Sequence, residues 1–301
     1  MDMKNRGYDE GELEQLLQGC IDTHIHSAPD VVPRKMDDLA LAREAAKAGM
    51  RGVIIKCHVS STEGRAYLVQ QMVPEVQVWG GIALNYNTGG FNPQALHLSA
   101  SMGAKIVWMP TVAAANFLQI AGLSDGLIAL GGGVKGKGLT IYDKGGKLKT
   151  EVIEILEVVR EANIILATGH LSPGESIDLI NEALKRGVQK ILFTHPEGSI
   201  TRLPLEEQKK MAARGVYFER CWAVTTGFAG EDRRVLPEAL ASAIKTVGPE
   251  STIMATDHGQ VNNPPPVEAM RSYIGAMLRF GITPGEIELM IKHNPVKLLE
   301  P

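Results

Sequence analysis

The chain has few cysteines and no long apolar run. Its 301 residues include Cys20, Cys57 and Cys221, and none of them belongs to a CxxC pair. This argues against a disulfide framework and a structural zinc knuckle, and it predicts ordinary buried thiols. No uninterrupted apolar stretch approaches the roughly 18 residues of a membrane span. Residues 1–7 are polar and lack the apolar core of a signal peptide. We therefore expect a cytoplasmic protein with no membrane partner.

The sequence also lacks an excess of one charge and any linker between domains. Its 31 basic and 34 acidic side chains leave a formal net charge of −3 at pH 7, so nothing indicates a nucleic acid partner. With 44% apolar and 22% charged residues, the composition fits a globular protein with an extensive core. No stretch rich in proline, glycine or serine divides the chain, which predicts one domain over residues 1–301.

Helix-like and strand-like patterns alternate along the chain, which is typical of parallel β/α units. Eight strand patterns end near residues 26, 58, 85, 109, 170, 195, 219 and 257. The length suits an α/β fold of the (β/α)8 TIM-barrel type, with a leading helix at 8–18 and a C-terminal helical cap at 283–300. The interval after the fourth strand lengthens into an insertion at 111–146, which contains a hairpin around Gly145-Gly146. The insertion is either a lid-like specificity element or a surface loop that does not contact the substrate.

Metal-binding side chains follow four of these strand patterns. The segment at 22–26 carries His24 and His26 at i and i+2, which in an extended strand point the same way, about 6.6 Å apart along the chain. The other three patterns end at His170, His195 and Asp257. Because the strands of such a barrel end at one face, we expect these side chains to converge. Four imidazoles and one carboxylate suit Zn²⁺ best, with Mn²⁺, Fe²⁺ or Ni²⁺ as alternatives.

With these residues the chain resembles the amidohydrolase superfamily, which consists of metal-dependent hydrolases built on a distorted β/α barrel. The His-x-His segment matches the strand-one signature of that superfamily, and His170, His195 and Asp257 match its positions on strands five, six and eight. The resemblance covers nearly all of the chain. It implies that His24, His26 and Asp257 hold the more buried metal and that His170 and His195 hold a second. With one metal, His170 would join the first set and His195 would become a proton donor or electrostatic group facing the substrate.

One position departs from the pattern of the superfamily. Binuclear members take a bridging carboxylated lysine or a glutamate from strand four, whereas strand four here ends in Trp108-Met109-Pro110. Lys56 on the second strand is the closest substitute, and Glu219 at the end of the seventh strand is another. We therefore expect a mononuclear site, or a binuclear site with an unorthodox bridge.

Several side chains are predicted to act on the substrate. Asp257 is the expected general base, acting on water that a cation would activate at neutral pH. His195, Lys56 and His58 are candidates to stabilise a developing oxyanion. A lysine inside a barrel needs a negative partner, such as a carbamate or a substrate carboxylate, unless its head reaches the barrel mouth.

Other candidates have both a functional and a structural interpretation. Asn85 ends strand three and either hydrogen-bonds the substrate or is an ordinary turn residue. Glu219 and Arg220 form either a structural pair or a substrate clamp. We assign His97 and His293 to structure. The aromatic residues line an apolar pocket or pack in the core and lid; they are Trp108, Phe117, Trp222 and Phe228.

These features predict a metal-dependent hydrolase that cleaves an amide, lactam, ester or related C–N or C–O bond in a small molecule. The resemblance leaves open non-oxidative decarboxylation at a mononuclear site, with Lys56 or Arg220 binding a carboxylate. The missing bridge supports a third interpretation, a metal- or ligand-binding protein without turnover. Deamination and phosphoester hydrolysis fit less well, because Pro173 stands where the deaminases of the superfamily carry a glutamate and because Asp257 directly precedes His258. Homo-oligomerisation is expected only from its general frequency among soluble proteins.

Overall fold

The computed structural model describes residues 10–121, 137–226 and 233–300. Three sequence predictions fall partly outside these ranges. They concern residues 8 and 9 of the leading helix, residues 122–136 of the insertion, and the segment 227–232 with Phe228. Within the described ranges, no helix combines the length and the apolarity that a membrane crossing requires.

The strands form the predicted α/β barrel, and every pairing between them is parallel. They are ordered β1-β2-β3 in one sheet and β4-β5-β6-β7-β8-β9 in the other. The third barrel strand is split into β3 and β4, so the nine segments occupy eight barrel positions. Their bounds are β1 Ile21–Ile25, β2 Gly52–Ile55, β3 Gln77–Trp79, β4 Gly81–Ala83, β5 Ile106–Trp108, β6 Ile165–Ala167, β7 Ile191–Thr194, β8 Tyr217–Cys221 and β9 Thr252–Ala255.

The two sheets adjoin at two places. The first is Gly80, between β3 and β4, where an added Cβ would overlap the backbone of Thr62 and Glu63 at the start of the preceding helix. The second lies beyond the ends of β1 and β9, where the Asp257 amide donates to the His24 carbonyl at 2.8 Å and the His26 amide donates to the His258 carbonyl at 2.8 Å. The backbone that joins the first and last strands therefore also carries three of the predicted ligands.

Helices alternate with the strands as the sequence predicts, and local caps fix several of their starts. The Asp37 side chain accepts from the Ala40 amide before α2, and Ser172 with Glu175 forms a capping box at the start of α7. The helices are α1 Glu10–Leu17, α2 Asp38–Lys47, α3 Glu63–Met72, α4 Pro93–Ser101, α5 Ala115–Ile120, α6 Thr150–Ala162, α7 Pro173–Lys185, α8 Leu205–Ala212, α9 Pro237–Val247, α10 Pro266–Arg279, α11 Pro284–Glu288 and α12 Asn294–Leu299, with a π-helical turn at Leu289–His293.

Apolar side chains fill the end of the barrel away from the predicted ligands. One buried cluster contains residues near the starts of several strands, including Ile21, Ile106 and Ile253. Leu298 and Leu299 of α12 belong to the same cluster. The C-terminal cap predicted from the sequence thus packs against the N-terminal ends of the strands and leaves their C-terminal ends for the polar residues.

The described parts of the insertion are anchored to the barrel. Tyr142 and Leu148 form an antiparallel bridge on either side of the predicted glycine turn. The Glu175 carboxylate at the start of α7 accepts from the Thr140 hydroxyl at 2.6 Å and from the Ile141 amide at 3.2 Å. The segment that returns to α6 is therefore held by the same carboxylate that caps the helix after β6.

Candidate metal centre

The three residues predicted to hold the more buried metal lie together. Asp257 Oδ1 is 3.1 Å from His24 Nε2 and 3.1 Å from His26 Nε2. These three side chains offer ligand atoms that all lie within 4.8 Å of one another. The i and i+2 histidines of β1 thus approach the same carboxylate, as their spacing predicts. Asp257 has a φ of 53°, a strained conformation for a non-glycine residue and one that is found more often at functional sites.

His195 and His170 extend this group from β7 and β6. His195 Nε2 is 3.6 Å from Asp257 Oδ2, and the rings of His195 and His170 have centroids 5.7 Å apart. The chain turns towards the site after β6 at Gly169, which has a φ of 61°. A side chain does not fit there, because an added Cβ would overlap the carbonyls of Met109 and Pro110. All five predicted ligands therefore line one end of the barrel.

The donor set fits a divalent cation. Among the described residues, the Nδ1 atoms of His170 and His195 are buried without any hydrogen-bond partner. Buried polar atoms are rarely left in this state, and a missing ion is one of the ordinary explanations. An aspartate that faces three imidazoles supplies the negative oxygen that such an ion requires.

The protonation preferences of His26, His170, His195 and Asp257 also suit metal binding. Burial lowers the pKa of His26 to about 3 and that of His195 to about 4, and it holds the pKa of His170 well below its ordinary value. Burial alone would raise the pKa of Asp257, but the charge of His24 and hydrogen bonds with His24 and His26 hold it well below the usual range. Three neutral imidazoles and an ionised carboxylate are the forms that coordinate a cation.

Glu219 orients His24 from behind. Its Oε2 is 2.9 Å from His24 Nδ1, and its Oε1 accepts from the Thr23 hydroxyl at 2.9 Å. A carboxylate on the far nitrogen of a ligating histidine fixes the ring and leaves Nε2 for the metal. Burial and Lys56 lower the pKa of His24, but Asp257 and Glu219 outweigh them and leave it raised. Because Glu219 contacts His24 Nδ1 and the metal would bind at Nε2, the Glu219 carboxylate lies on the wrong side of the ring to bridge two metals.

Cys221 lies close to the same histidine. Its Sγ is 3.7 Å from His24 Nδ1, and His24, His195 and Cys221 form a second group with ligand atoms close enough to hold an ion. Burial raises the pKa of the Cys221 thiol well above its ordinary value, so it is a poor source of thiolate. The buried and unpaired state predicted for the three cysteines is confirmed.

Lys56 lies inside the barrel with the ligands. Its side chain is fully buried, and its Nζ is 3.0 Å from His24 Nε2 and 5.3 Å from the centre of the Trp108 ring. Burial lowers the pKa of the ammonium, although Asp257 and Glu219 act to raise it. Its head therefore does not reach to the barrel mouth. Trp108 is fully buried at the end of β5, the strand on which the sequence analysis found no bridging residue.

His58 is held at the rim of the group by Asn85. The Asn85 oxygen accepts from the amides of Thr111 and Ala113, and its nitrogen donates to the His58 carbonyl and to Thr111 Oγ1. Thr111 Oγ1 is in turn 2.9 Å from His58 Nδ1, and the rings of His58 and His26 are 4.7 Å apart. The amide of Asn85 makes four hydrogen bonds within the protein, which favours its structural interpretation, and a contact of Asn85 with the substrate stays a prediction.

Arg220 does not join the centre. Its fully buried guanidinium pairs with Glu197 and donates to Gln208 Oε1 at 2.9 Å, whereas Glu219 contacts His24 and Thr23. Adjacent strand residues point to opposite faces, which explains why the two neighbours separate. Glu219 and Arg220 therefore do not form the structural pair with each other that was one of the two interpretations, because Arg220 pairs with Glu197 instead. A contact of either residue with a substrate stays a prediction.

Two of the predicted aromatic residues have clear partners near the barrel mouth. Phe117 of α5 stacks on the His170 ring at 5.2 Å, and Trp222 stacks on Tyr273 at 4.9 Å. Asn116 also donates to the carbonyls of His170 and Ile200. The first part of the insertion thus covers one ligand. Its function as a lid remains a prediction, because residues 122–136 lie outside the described ranges.

Sequence analysis did not identify an ion pair beside His26. Arg34 Nη2 is 2.7 Å from Asp30 Oδ2 and 3.4 Å from His26 Nδ1, and both charged side chains are almost fully buried. They lie in the connection between β1 and α2, which has no helix or strand period. The only signal in the sequence is a pair of opposite charges at i and i+4, a spacing that is common at surfaces.

Comparison with solved structures supports the barrel fold. An amidohydrolase from Pseudomonas aeruginosa superposes with a TM-score of 0.61 at 13% identity, over 95% of this chain and 98% of the other. The organophosphorus hydrolase from Deinococcus radiodurans gives 0.60 at 13% identity, over 95% and 94%. A 2,6-dihydroxybenzoate decarboxylase, in complex with 2,6-dihydroxybenzoate, gives 0.56 at 10% identity, over 94% and 99%. At these identities the likeness shows the fold alone.

The sequence itself matches one family model. No curated protein sequence matches the chain. The family model matches residues 19–219, which run from just before β1 to the middle of β8. This range includes every predicted ligand except Asp257. The chain therefore belongs to the family described as "Family of unknown function (DUF6282)", and it has the barrel fold found in amidohydrolases.

Proposed function

We propose that this protein is a metal-dependent hydrolase that cleaves an amide, lactam, ester or related C–N or C–O bond in a small molecule. The observation that carries the proposal is the convergence of His24, His26 and Asp257, with His170 and His195 beside them, at the C-terminal ends of the barrel strands. That end of such barrels is where their enzymes place the active site. His24, His26, Asp257 and His170 would hold a first cation, and a set of three imidazoles and one carboxylate favours Zn²⁺.

The residues of the chain have distinct tasks in this reaction. The cation, when bound, activates water and polarises the bond to be cleaved. Asp257 is ionised and its side chain is 18% exposed, so its Oδ2 would take the proton of the attacking water and deliver it to the leaving group. His195, 3.6 Å from that oxygen, either holds a second cation or faces the substrate. Lys56 supplies a positive charge for the developing oxyanion, an effect for which one preorganised donor typically contributes about 3–4 kcal/mol.

One observation favours a second candidate, non-oxidative decarboxylation. The Lys56 ammonium is fully buried beside His24, where it offers a cation for a substrate carboxylate. Arg220, the other residue considered for this task, is occupied by Glu197. Both reactions use the same first metal. They differ in whether Lys56 meets a carboxylate of the substrate or a charge that develops during hydrolysis.

The metal content per chain is the experiment that tests the shared part of the proposal. Protein purified without chelator is analysed by plasma mass spectrometry, together with His24→Ala and Lys56→Ala. His97→Ala is a matched control, because His97 lies exposed on α4. We expect about one Zn per chain in the wild type, lost with His24 but retained with the other two variants.

Two other outcomes carry different conclusions. Two metals per chain, with one of them lost in Lys56→Ala, would make Lys56 the bridge and favour binuclear hydrolysis. A chain that takes up no metal after reconstitution would reject both enzymatic proposals.

If one metal binds, release of CO₂ from aromatic carboxylates is then compared with cleavage of lactone, lactam, ester and amide panels. A metal-replete protein that turns over none of these compounds would favour a binding protein.

A further inference from the structure

A guanidinium lies beside one of the predicted metal ligands, although the proposed reaction does not use it. Arg34 Nη2 is 3.4 Å from His26 Nδ1, and the Arg34 side chain is only 5% exposed. A ligating histidine ordinarily donates from its far nitrogen to a carboxylate or a carbonyl, a partner that Glu219 provides for His24. A guanidinium can only donate, and its charge repels a divalent cation. Metal binding therefore does not explain the position of Arg34.

Backbone contacts hold Arg34 between the loops that follow the first and the last strand. Arg34 forms an antiparallel bridge with Gln260, and the Lys35 amide donates to the Gly259 carbonyl at 2.8 Å. Gln260 Nε2 in turn donates to the carbonyl of Asp257 at 2.9 Å. Arg34 is thus fixed at the end of the barrel where the candidate ligands converge.

Asp30 occupies only part of the Arg34 guanidinium. Asp30 Oδ2 accepts from Arg34 Nε at 2.9 Å and lies 2.7 Å from Nη2, while Asp30 Oδ1 accepts from the Val31 amide at 2.6 Å. Arg34 Nη1 makes no hydrogen bond with the described residues, and it is not among their fully buried polar atoms that lack a partner. Its two N–H groups are therefore accessible to a ligand.

Other donors beside the centre are unused as well. In the part of the chain that the structure describes, the buried indole nitrogen of Trp108 has no partner, and Lys56 Nζ contacts the one nitrogen of His24 that would bind the metal. Burial is the main cause of the lowered pKa values of Lys56 and His58, and the charge of Arg34 contributes to both, which places Arg34 near these side chains. A negatively charged group, which only accepts hydrogen bonds, suits such a set of donors.

We propose that Arg34 determines substrate specificity by binding an anionic group of the substrate, a carboxylate or a phosphate, through Nη1. Arginine forms strong charge-assisted hydrogen bonds with the oxygens of both groups. Asp30 orients the guanidinium from one side and leaves Nη1 to the ligand. The inference rests on the proposed function, because it takes the compound bound at the centre to be the substrate of the hydrolase. It narrows the substrates to small molecules that carry a negative group apart from the bond that is cleaved.

Isothermal titration calorimetry of the full chain with benzoate, phenyl phosphate and benzamide tests the proposal. We expect the wild type to bind one of the two anions, which identifies the group that Arg34 accepts, and Arg34→Gln to bind that anion about 10–100-fold more weakly. Asp30→Asn is the matched control. It leaves the charge of Arg34 unopposed, so it should bind the anion more tightly than the wild type does. Benzamide, the neutral analogue of benzoate, should bind equally to the wild type and both variants.

The opposite signs of the two variants separate ligand binding from a structural role, because the loss of an ion pair alone would impair both in the same direction. The double variant Asp30→Asn/Arg34→Gln contains no unpaired buried charge, so it guards against a folding defect and should bind the anion as weakly as Arg34→Gln. Thermal melts followed by circular dichroism establish that the variants are folded.

Four results would overturn the proposal. They are a wild type that binds neither anion, an affinity that Arg34→Gln and the double variant retain, a weaker affinity in Asp30→Asn, and an equal loss of affinity for benzamide. The titrations are made on zinc-loaded and on metal-free protein. A chain that takes up no zinc would refute the proposed function, whereas the titration of the metal-free protein would still decide the role of Arg34.

Discussion

The contact between Glu219 and His24 predicts how the barrel controls metal affinity. Glu219 Oε2 lies 2.9 Å from His24 Nδ1, and both side chains are fully buried. In Glu219→Gln the amide oxygen still accepts from the histidine and the amide nitrogen can donate to Thr23 Oγ1, so the geometry survives and only the negative charge is lost. Replacing an outer carboxylate of this kind typically lowers metal affinity by about 10–100-fold. That range corresponds to a loss of about 1.4–2.7 kcal/mol of binding free energy.

The assay is a competition titration of the metal-free protein with Zn²⁺ in the presence of a chromophoric chelator. Thr23→Val is the control, because it removes the hydroxyl that Glu219 accepts from at 2.9 Å but keeps the carboxylate charge. We expect it to change the affinity much less than Glu219→Gln does. The number of bound metals should remain the same in both variants. An affinity in Glu219→Gln equal to that of the wild type would refute the argument, and the loss of one metal from a binuclear centre would show that Glu219 is itself a ligand.

Three further predictions concern residues around the centre. Asn85→Ala leaves two buried backbone amides without an acceptor, so we expect urea denaturation to show a loss of about 2–4 kcal/mol in the free energy of unfolding. Arg220→Met leaves Glu197 unpaired in a largely buried position, which should cost about 3–5 kcal/mol in the same assay without changing the metal content. Cys221→Ser should bind as much metal as the wild type, and Co²⁺-loaded wild type should lack a thiolate charge-transfer band; a band that disappears in the variant would make Cys221 a ligand.

The barrel and the convergence of the five candidate ligands were predictable because two strong signals coincide. Each ligand follows an apolar run, and parallel strands bring their C-terminal ends to one face. The bounds of the strands were less predictable. The second strand was expected to reach His58 but ends at Ile55, although the Lys56 amide still donates to the Ile25 carbonyl at 2.8 Å. The break at Gly80 depends on the approach of the α3 backbone, which no local pattern encodes.

The contacts of Arg220 and Asn85 were hard to predict for different reasons. The two faces of β8 could have been separated by alternation, which places Arg220 opposite Glu219. The partner of Arg220, Glu197, lies far enough away in sequence that only the tertiary structure identifies it. Asn85 was ambiguous for another reason. An asparagine at a strand end is equally suited to bind a ligand or to hold neighbouring loops, and only the positions of its four hydrogen-bond partners favour the second role.

A substitution of Lys56 tests how many metals the proposed centre binds. Its Nζ and Asp257 Oδ1 approach the same nitrogen of His24, at 3.0 and 3.1 Å, where the first cation would bind. A charged ammonium at this place repels a divalent cation, so a mononuclear centre has to bind its metal against Lys56, and Lys56→Ala should then bind that metal more tightly. If Lys56 instead bridges two metals, the same substitution removes a ligand and lowers both stoichiometry and affinity. The sign of the affinity change in this one variant therefore separates the two centres, even before a substrate is known.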